Sequence, residues 1–275
     1  MGLHMGKIIF VDVDGIIKDM GGEFSPLLIE TIRKVRENGH EICLCTGRTY
    51  QQIDPDILNI GWDGVIANSG GYVEYKGECL KHRLFTQLAY IEFMNDLLTE
   101  PCVVEIETKN DVYVLRKDLR EYLTLRVRLL DGKRRALKPP KNPIPVDTVL
   151  DVPEVEKLMV FGDKALGKEI LDKWSYAFLV REARMSCAAC WAGEITPKDI
   201  NEIKGIRKVL TAAEKKQKDV VVIGDGTEDL EMLQFAETGV ALANAKEEVK
   251  AVSDYVTKAV LDEGIREAFV HLDLI

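Results

Sequence analysis

The sequence predicts an α/β protein with a doubly wound, mostly parallel sheet, whose βα series is interrupted by an inserted α+β unit. Three observations lead there. The stretches around Ile8–Val11, His40–Cys45 and Asp219–Ile223 are short and largely apolar, the first and last rich in β-branched residues, as strands buried on both faces are. Each ends in a polar, glycine-containing turn, and segments with helical periodicity connect the strands. From about His82 the texture changes to helices alternating with a hairpin, and it changes back near Trp191.

The elements follow in order. Met1–Gly6 reads as a short extension ahead of a natural start at Met5, without the apolar region of a signal peptide. After the first strand, Gly21-Gly22-Glu23 reads as a turn. Ser25 and Pro26 have the chemistry of an N-cap and a first helical residue. Leu28, Ile32 and Val35 recur at helical spacing until Asn38-Gly39 closes the helix. A second helix is expected over roughly Thr49–Asn59, with Pro55 disturbing it. Gly64–Ala67 is a third strand, and Tyr72–Tyr75 and Glu78–Leu80 form a hairpin around Lys76-Gly77.

The inserted unit begins with a helix at Thr86–Leu98 and a hairpin of Cys102–Glu107 with Val112–Arg116. A helix at Leu119–Leu130 and a Pro-rich basic loop, Asp131–Pro145, come next. Val155–Phe161 reads as a strand, Leu166–Trp174 as a helix and Tyr176–Val180 as a strand. The first pattern resumes as Glu194–Pro197 leads into a helix over Ile200–Glu214. The strand Asp219–Ile223, a helix from Glu228, and strands at Gly239–Ala243 and Tyr255–Thr257 follow. Helices are expected at Lys246–Val252 and Gly264–His271. The expected organisation is a Rossmann-like core of residues 1–81 and 193–275 around an inserted unit of 82–192.

Composition bounds the function. The chain has 275 residues, 46% hydrophobic and 30% charged, ordinary for a globular protein. A net charge of −9 argues against nucleic acid as a partner, and the basic stretch Lys133–Lys141 reads as a solvated loop. No apolar stretch suits a membrane span. Six scattered cysteines favour reduced thiols and the cytoplasm. Cys187-Ala-Ala-Cys190 has metal-ligand spacing, but the other close pair, Cys43 and Cys45, lies within a strand. Oligomeric state is not legible.

The chemistry concentrates at strand ends. Asp12-Val13-Asp14-Gly15 follows the first strand, Thr46-Gly47-Arg48 the second, and Gly224-Asp225-Gly226 with Asp229 a later one. Paired acids at the carboxyl edge of such a sheet are costly unless a cation or a phosphoryl reaction compensates them. The alternative is a strand-end turn with capping aspartates.

The three blocks, in this order and at this wide spacing, resemble the haloacid dehalogenase-like hydrolases, and within them the Cof-type phosphatases with a type IIB-like cap. The similarity covers essentially the whole chain. It implies that Asp12 is a nucleophile forming an aspartyl-phosphate, and that Asp14 is the general acid and base. It implies Mg²⁺ held by Asp12, Asp14, Asp225 and Asp229, with the backbone carbonyl of Asp14 as a further donor. Thr46 and Gly47 would cradle phosphate, while Arg48 either adds charge there or forms a structural pair. The implied substrate is a small phosphorylated metabolite, sugar phosphates first. Arg116, Arg126, Lys138 and Trp191 are candidates for lining the cleft, and no spacing selects among them.

The chain departs from the family pattern at three places. Ile16 replaces the usual Thr, Glu228 an Asn, and Glu202 stands where the phosphate-binding lysine belongs. Asp199-Ile-Asn-Glu202 has capping-box spacing, so Glu202 is expected to turn toward the helix start, leaving Lys198 or Arg48 to supply the cation. Two rivals stand beside a phosphatase: a phosphomutase with the same intermediate, and a phospho-ligand binder with crippled catalysis.

Overall fold

A computed structural model of the chain describes residues 6–17, 25, 27–130, 142–183, 185–187 and 190–275, with the side chains of 127–130 outside the description. The chain divides into two compact units, one of residues Met1–Gly47, Asp54–Lys81 and Asn201–Ile275, the other of Arg48–Ile53 and His82–Ile200.

In chain order the first unit begins with β1 (Ile8–Asp12), α1 (Leu28–Glu37), β2 (Glu41–Cys45), α2 (Pro55–Leu58), β3 (Gly64–Ala67) and the hairpin β4 (Tyr72–Tyr75) and β5 (Glu78–His82). The second contains α3 (Gln87–Leu97), β6 (Val103–Glu107), β7 (Val112–Leu115), α4 (Leu119–Leu130), β8 (Ile144–Val146), β9 (Lys157–Gly162), α5 (Lys164–Trp174), β10 (Phe178–Glu182) and β11 (Trp191–Pro197). The first unit then resumes with α6 (Glu202–Ala212), β12 (Val220–Gly224), α7 (Leu230–Phe235), β13 (Thr238–Ala241), α8 (Glu247–Val252), β14 (Tyr255–Val256) and α9 (Gly264–His271).

The eight-stranded sheet of the first unit has the order β14-β13-β12-β1-β2-β3-β4-β5. Its strands pair in parallel from β14 to β3, and β4 pairs antiparallel with β3. The chain builds outward from β1 through β2 and β3, and on the other side from β12 through β13 to β14. The strand order therefore reverses between β1 and β12, and the carboxyl edge of such a junction is where an open α/β sheet binds ligands. Every residue of β1 and β12 is buried. Ile8, Phe10, Cys43, Val220 and Val222 pack with Ile206 and Val209 of α6, Met232 of α7 and Val249 of α8. On this face Phe10→Ala would cost about 3–5 kcal/mol. The turn of the β4–β5 hairpin has positive φ at Lys76 and Gly77 (50° and 81°), the two-residue geometry that matches strand twist.

The second unit is a six-stranded sheet, β10-β11-β9-β6-β7-β8. Val104, Ile106, Leu158, Val160 and Ile195 on one face pack with Phe93 and Met94 of α3 and Ile170 and Trp174 of α5. The other face carries Val103, Val114, Met159, Phe161 and Ala192 with Tyr122 of α4.

Several local expectations give way. Helix α1 starts at Leu28 without a side-chain cap, and the Ser25 hydroxyl instead donates to Glu263. Pro26, the Gly21-Gly22-Glu23 turn, the residues before Gly6 and the basic stretch 131–141 lie outside the described residues. The expected Thr49–Asn59 helix is a 3₁₀ turn, Tyr50–Gln52, and the short α2. Pro55 lacks the N–H to continue a helix, so it serves as a first helical residue behind the Asp54 cap. Within the loop assigned to Asp131–Pro145, Ile144 begins a third partner strand, β8, parallel to β7.

Glu194–Pro197 is not a lead-in but the end of β11, bonded antiparallel to β9 and β10 on its two sides. The expected boundary at 192/193 thus falls inside a strand, and the second unit runs to Ile200. Trp191 is a core residue, with its ring against Gly167 and Gly193. At α6 the capping oxygen belongs to Asn201, which accepts from the Lys204 N–H, while Asp199 has a left-handed φ of 72°. Glu202 is the first helical residue, not the partner of a capping box.

Candidate active site

Four loops of the first unit meet at the carboxyl edge around the β1–β12 junction. Asp12 is the last residue of β1, and Asp225 immediately follows β12. Asp229 closes the 3₁₀ turn Thr227–Asp229, where its Oδ2 accepts the backbone N–H groups of Asp225 (2.9 Å) and Gly226 (3.0 Å). These bonds hold the carboxylate beside the strand end. Asp12, Asp225 and Asp229 each present an oxygen within 4.8 Å of the others.

Two glycines allow this approach. A Cβ on Gly15, whose φ is +82°, would lie 2.1 Å from Asp225 Oδ2. One on Gly224 would lie 2.7 Å from the Asp229 Cβ. Both contacts are with aspartate side chains, and the positive φ of Gly15 adds backbone strain for any other residue there.

The electrostatics would suit a cation. Asp12 is 6% exposed, and its Oδ2 is buried without a hydrogen-bond partner. Burial raises its pKa well above the carboxylate range, and Asp229, Asp14 and Asp225 raise it further, against one N–H bond from Val13. Burial likewise pushes Asp229 up to about 7, reinforced by Glu202 and Asp225 and opposed by the Gly226 and Asp225 amides. Every charged side chain among these influences is itself a carboxylate. A divalent ion bound by oxygen donors would compensate them and satisfy Asp12 Oδ2, so the residues fit such an ion.

Of the expected metal ligands, three come together as side chains. Asp14 is half-buried and bears on Asp12 through its charge, but its carboxylate is not in the group of three. Thr46 is buried at the end of β2, with its N–H bonded to Ile66 and its carbonyl accepting from Ser69 N–H at 3.0 Å. Gly47 lies beside the Ser69 hydroxyl, 3.4 Å from where its Cβ would be. The turn that carries Ser69 has positive φ at Asn68, Ser69 and Gly70 (49°, 48° and 83°), and Gly70 packs directly on the Asn201 carbonyl. This brings the ends of β2 and β3 and the start of α6 to one edge.

Arg48 and Lys198 belong to the second unit. Arg48 donates to the Gln52 carbonyl at 3.2 Å, and Lys198 is exposed. Ile16 is fully buried. Among the cleft candidates, Arg116 pairs with Asp147 at 2.7 Å and Arg126 with Glu105 at 3.4 Å, while Lys138 lies outside the described residues. Burial raises Asp229 and the Cys45 thiol, and the charge of Glu202 adds to both shifts.

Sequence reasoning passed over Asn244. Its amide donates to the Gly15 carbonyl at 3.4 Å and to Asp225 Oδ2 at 3.3 Å, linking the first and third blocks. The signal was present: Asn244 follows the apolar run of β13, so it too lies at the carboxyl edge.

The profile of the haloacid dehalogenase-like hydrolases matches residues 9–269. YkrA of Bacillus subtilis, a protein with a provisional phosphatase name, is 25% identical over 98% of both chains. The phosphoglycolate phosphatase of Archaeoglobus fulgidus is 26% identical, again over 98% of both. The solved structure of the subclass IIB sugar phosphatase BT4131 superposes with a TM-score of 0.75 at 23% identity, covering 98% of this chain and 100% of the other. The profile match spans both acidic blocks and everything between them, and on that ground this chain belongs to the haloacid dehalogenase-like hydrolase family.

Proposed function

We propose that the protein hydrolyses a small phosphorylated metabolite, with sugar phosphates the first class to test, in a Mg²⁺-dependent reaction through an aspartyl-phosphate on Asp12. The chain is a phosphatase of its family, a phosphoric monoester hydrolase. What carries the finer reading is Asp12 itself: a buried carboxylate at the β1–β12 junction, with one oxygen lacking any hydrogen-bond partner and with carboxylates as its strongest charged neighbours.

Mg²⁺ held by Asp12, Asp225 and Asp229 would supply the positive charge that keeps these groups ionised and draws in a phosphate dianion. An Asp12 oxygen attacks phosphorus as the bond to the leaving oxygen breaks, and Asp14 delivers the proton that the alcohol takes away. Asp14, then a carboxylate, removes a proton from the water that attacks the aspartyl-phosphate. Inorganic phosphate leaves and Asp12 is restored. Thr46, the Gly47 N–H and Ser69 would bind the non-reacting oxygens, a reading supported by their position at the ends of β2 and β3. Asn244 positions Asp225.

No helix among the described residues is long and apolar enough to cross a membrane, and all six cysteines are thiols. Both support a cytoplasmic setting. The test is hydrolysis of a panel of sugar phosphates and phosphoglycolate after chelation and with Mg²⁺ restored. Turnover that returns with millimolar Mg²⁺ is expected. Phosphate binding without turnover on any ester would replace this reading by the phospho-ligand binder.

A further inference from the structure

Cys187 and Cys190 lie in the second unit, outside the chemistry above. They face each other as an isolated antiparallel bridge beyond the β10–β11 ladder. The Cys187 N–H donates to the Cys190 carbonyl at 2.8 Å, and the Cys190 N–H donates back to the Cys187 carbonyl at 3.3 Å. Residues paired in this way have Cα atoms about 5.5 Å apart. Their side chains share one face, with Cβ atoms about 5.5 Å apart, the wide end of the range, because the closer spacing belongs to non-hydrogen-bonded pairs. A disulfide accepts Cα separations of about 4.4–6.8 Å and Cβ separations of about 3.5–4.5 Å. The Cα separation already suits the bond, and closing it takes an inward Cβ shift of about 1–2 Å, whose strain makes it easy to reduce.

Access separates the two thiols. Cys187 is exposed and Cys190 half-buried, with its Sγ directed to the Trp191 carbonyl. Burial and the neighbouring Cys187 push the Cys190 thiol up, partly offset by a bond from the Gly162 N–H. A thiolate metal site needs about four ligands. Among the described residues the one group of three or more potential ligands is that of Asp12, Asp225 and Asp229, so metal binding has no support at the cysteines. The other cysteines do not form such a bridge: Cys43 and Cys45 are buried in β2, and Cys79 and Cys102 lie elsewhere.

We propose that Cys187 and Cys190 form a reversible dithiol–disulfide pair, oxidised by low-molecular-weight disulfides. Cys187 loses its proton to solvent, and its thiolate attacks one sulfur of the small disulfide. That S–S bond breaks, and the departing thiolate takes up a proton. Cys190 then loses its proton to solvent and its thiolate attacks Cys187 Sγ, which forms the internal bond and expels the second small thiolate, protonated in turn by solvent. Two protein thiols are oxidised and one external disulfide is reduced to two thiols.

The experiment equilibrates the whole protein in glutathione buffers of rising oxidised fraction, alkylates remaining thiols, and digests with trypsin. Both cysteines fall in one peptide, Met185–Lys198, between Arg184 and Asp199. The expected result is a growing share of this peptide that is unalkylated and about 2 Da lighter, reversed by dithiothreitol. Cys190→Ser should instead stop at a glutathione adduct on Cys187. A wild-type peptide that takes two alkyl groups throughout, that stops at the adduct, or that links to Cys79 or to a second chain would overturn the proposal. The readout is independent of phosphatase activity.

Discussion

Each unit of this protein buries a cluster of carboxylates, and the two clusters are compensated in opposite ways. In the second unit Glu105 accepts from the Tyr122 hydroxyl at 2.5 Å, from the Gln52 amide at 3.1 Å and from Arg126 at 3.4 Å. Glu107 accepts from the Thr49 hydroxyl; burial pushes it up to about 7, and Lys157, itself paired with Glu194 at 3.3 Å, opposes that rise. Protein groups answer the charge there, which marks a structural network. In the first unit the charged groups acting on Asp12 and Asp229 are more carboxylates. Buried acids of the same kind thus sit in opposite settings: groups of the chain answer one cluster, while further acids face the other, as the proposed cation site requires.

The largest expected effect tests that contrast at Asp12. Asp12→Asn should lower turnover by about a thousandfold or more, because the attacking charge is gone. The same change should raise the thermal midpoint of the chelated protein, since it removes a carboxylate that burial and three neighbours disfavour. Steady-state kinetics and calorimetry in chelator measure both, and unchanged turnover would end the aspartyl-phosphate mechanism. Glu107→Ala should act through stability instead. It leaves the buried Thr49 hydroxyl without its acceptor and withdraws one of the charges that act on Lys157, and should cost about 1–3 kcal/mol in urea unfolding. A loss below about 1 kcal/mol would mean the second cluster is not a compensated network.

A pH experiment sharpens the comparison within the second unit. His82 Nε2 lies 2.5 Å from Glu156, yet burial lowers His82 and, with the charge of Glu107, raises Glu156 to about 8. Geometry suggests an ion pair, but desolvation outweighs it, and the carboxylic acid donates to a neutral imidazole. The folded protein then holds a proton that the unfolded chain releases near pH 4.5. This group's stabilisation is complete below that pH and is lost as pH rises toward about 8. The slope is at most about 1.4 kcal/mol per pH unit. Glu156→Gln should flatten it in denaturation curves between those limits, and an unaltered slope would refute the assignment. The smallest effect is expected at Glu202. Glu202→Lys replaces a charge that raises Asp229 with one that lowers it, and should increase kcat/KM by up to about tenfold. No gain in an otherwise active enzyme would show that Glu202 does not act on the phosphate site.

Much of this was legible in the sequence because it is local. Continuous apolar runs identify β1 and β12 as doubly buried strands, and the acids that follow must emerge at the strand ends. Asp12 and Asp225 were therefore legible as acids at the carboxyl edge, while the roles proposed for them came from the family resemblance. Lys76-Gly77 announced its hairpin through turn chemistry, and Pro55 warned that no regular helix would cross it. Tertiary structure decided whatever depends on partners distant in the chain. Glu194 reads as a polar lead-in until β9 and β10 pair with it and Lys157 meets its carboxylate. Asn244 becomes a site residue only because β13 lies next to β12, and Asn201 rather than Asp199 caps α6. Asp229 joins Asp12 because two backbone amides hold it, while Asp14 stays outside the group of three. Periodicity and turn chemistry record what a residue does to its own segment. Hydrogen-bond partners and neighbouring charges are set by strand order, which no single stretch of sequence contains.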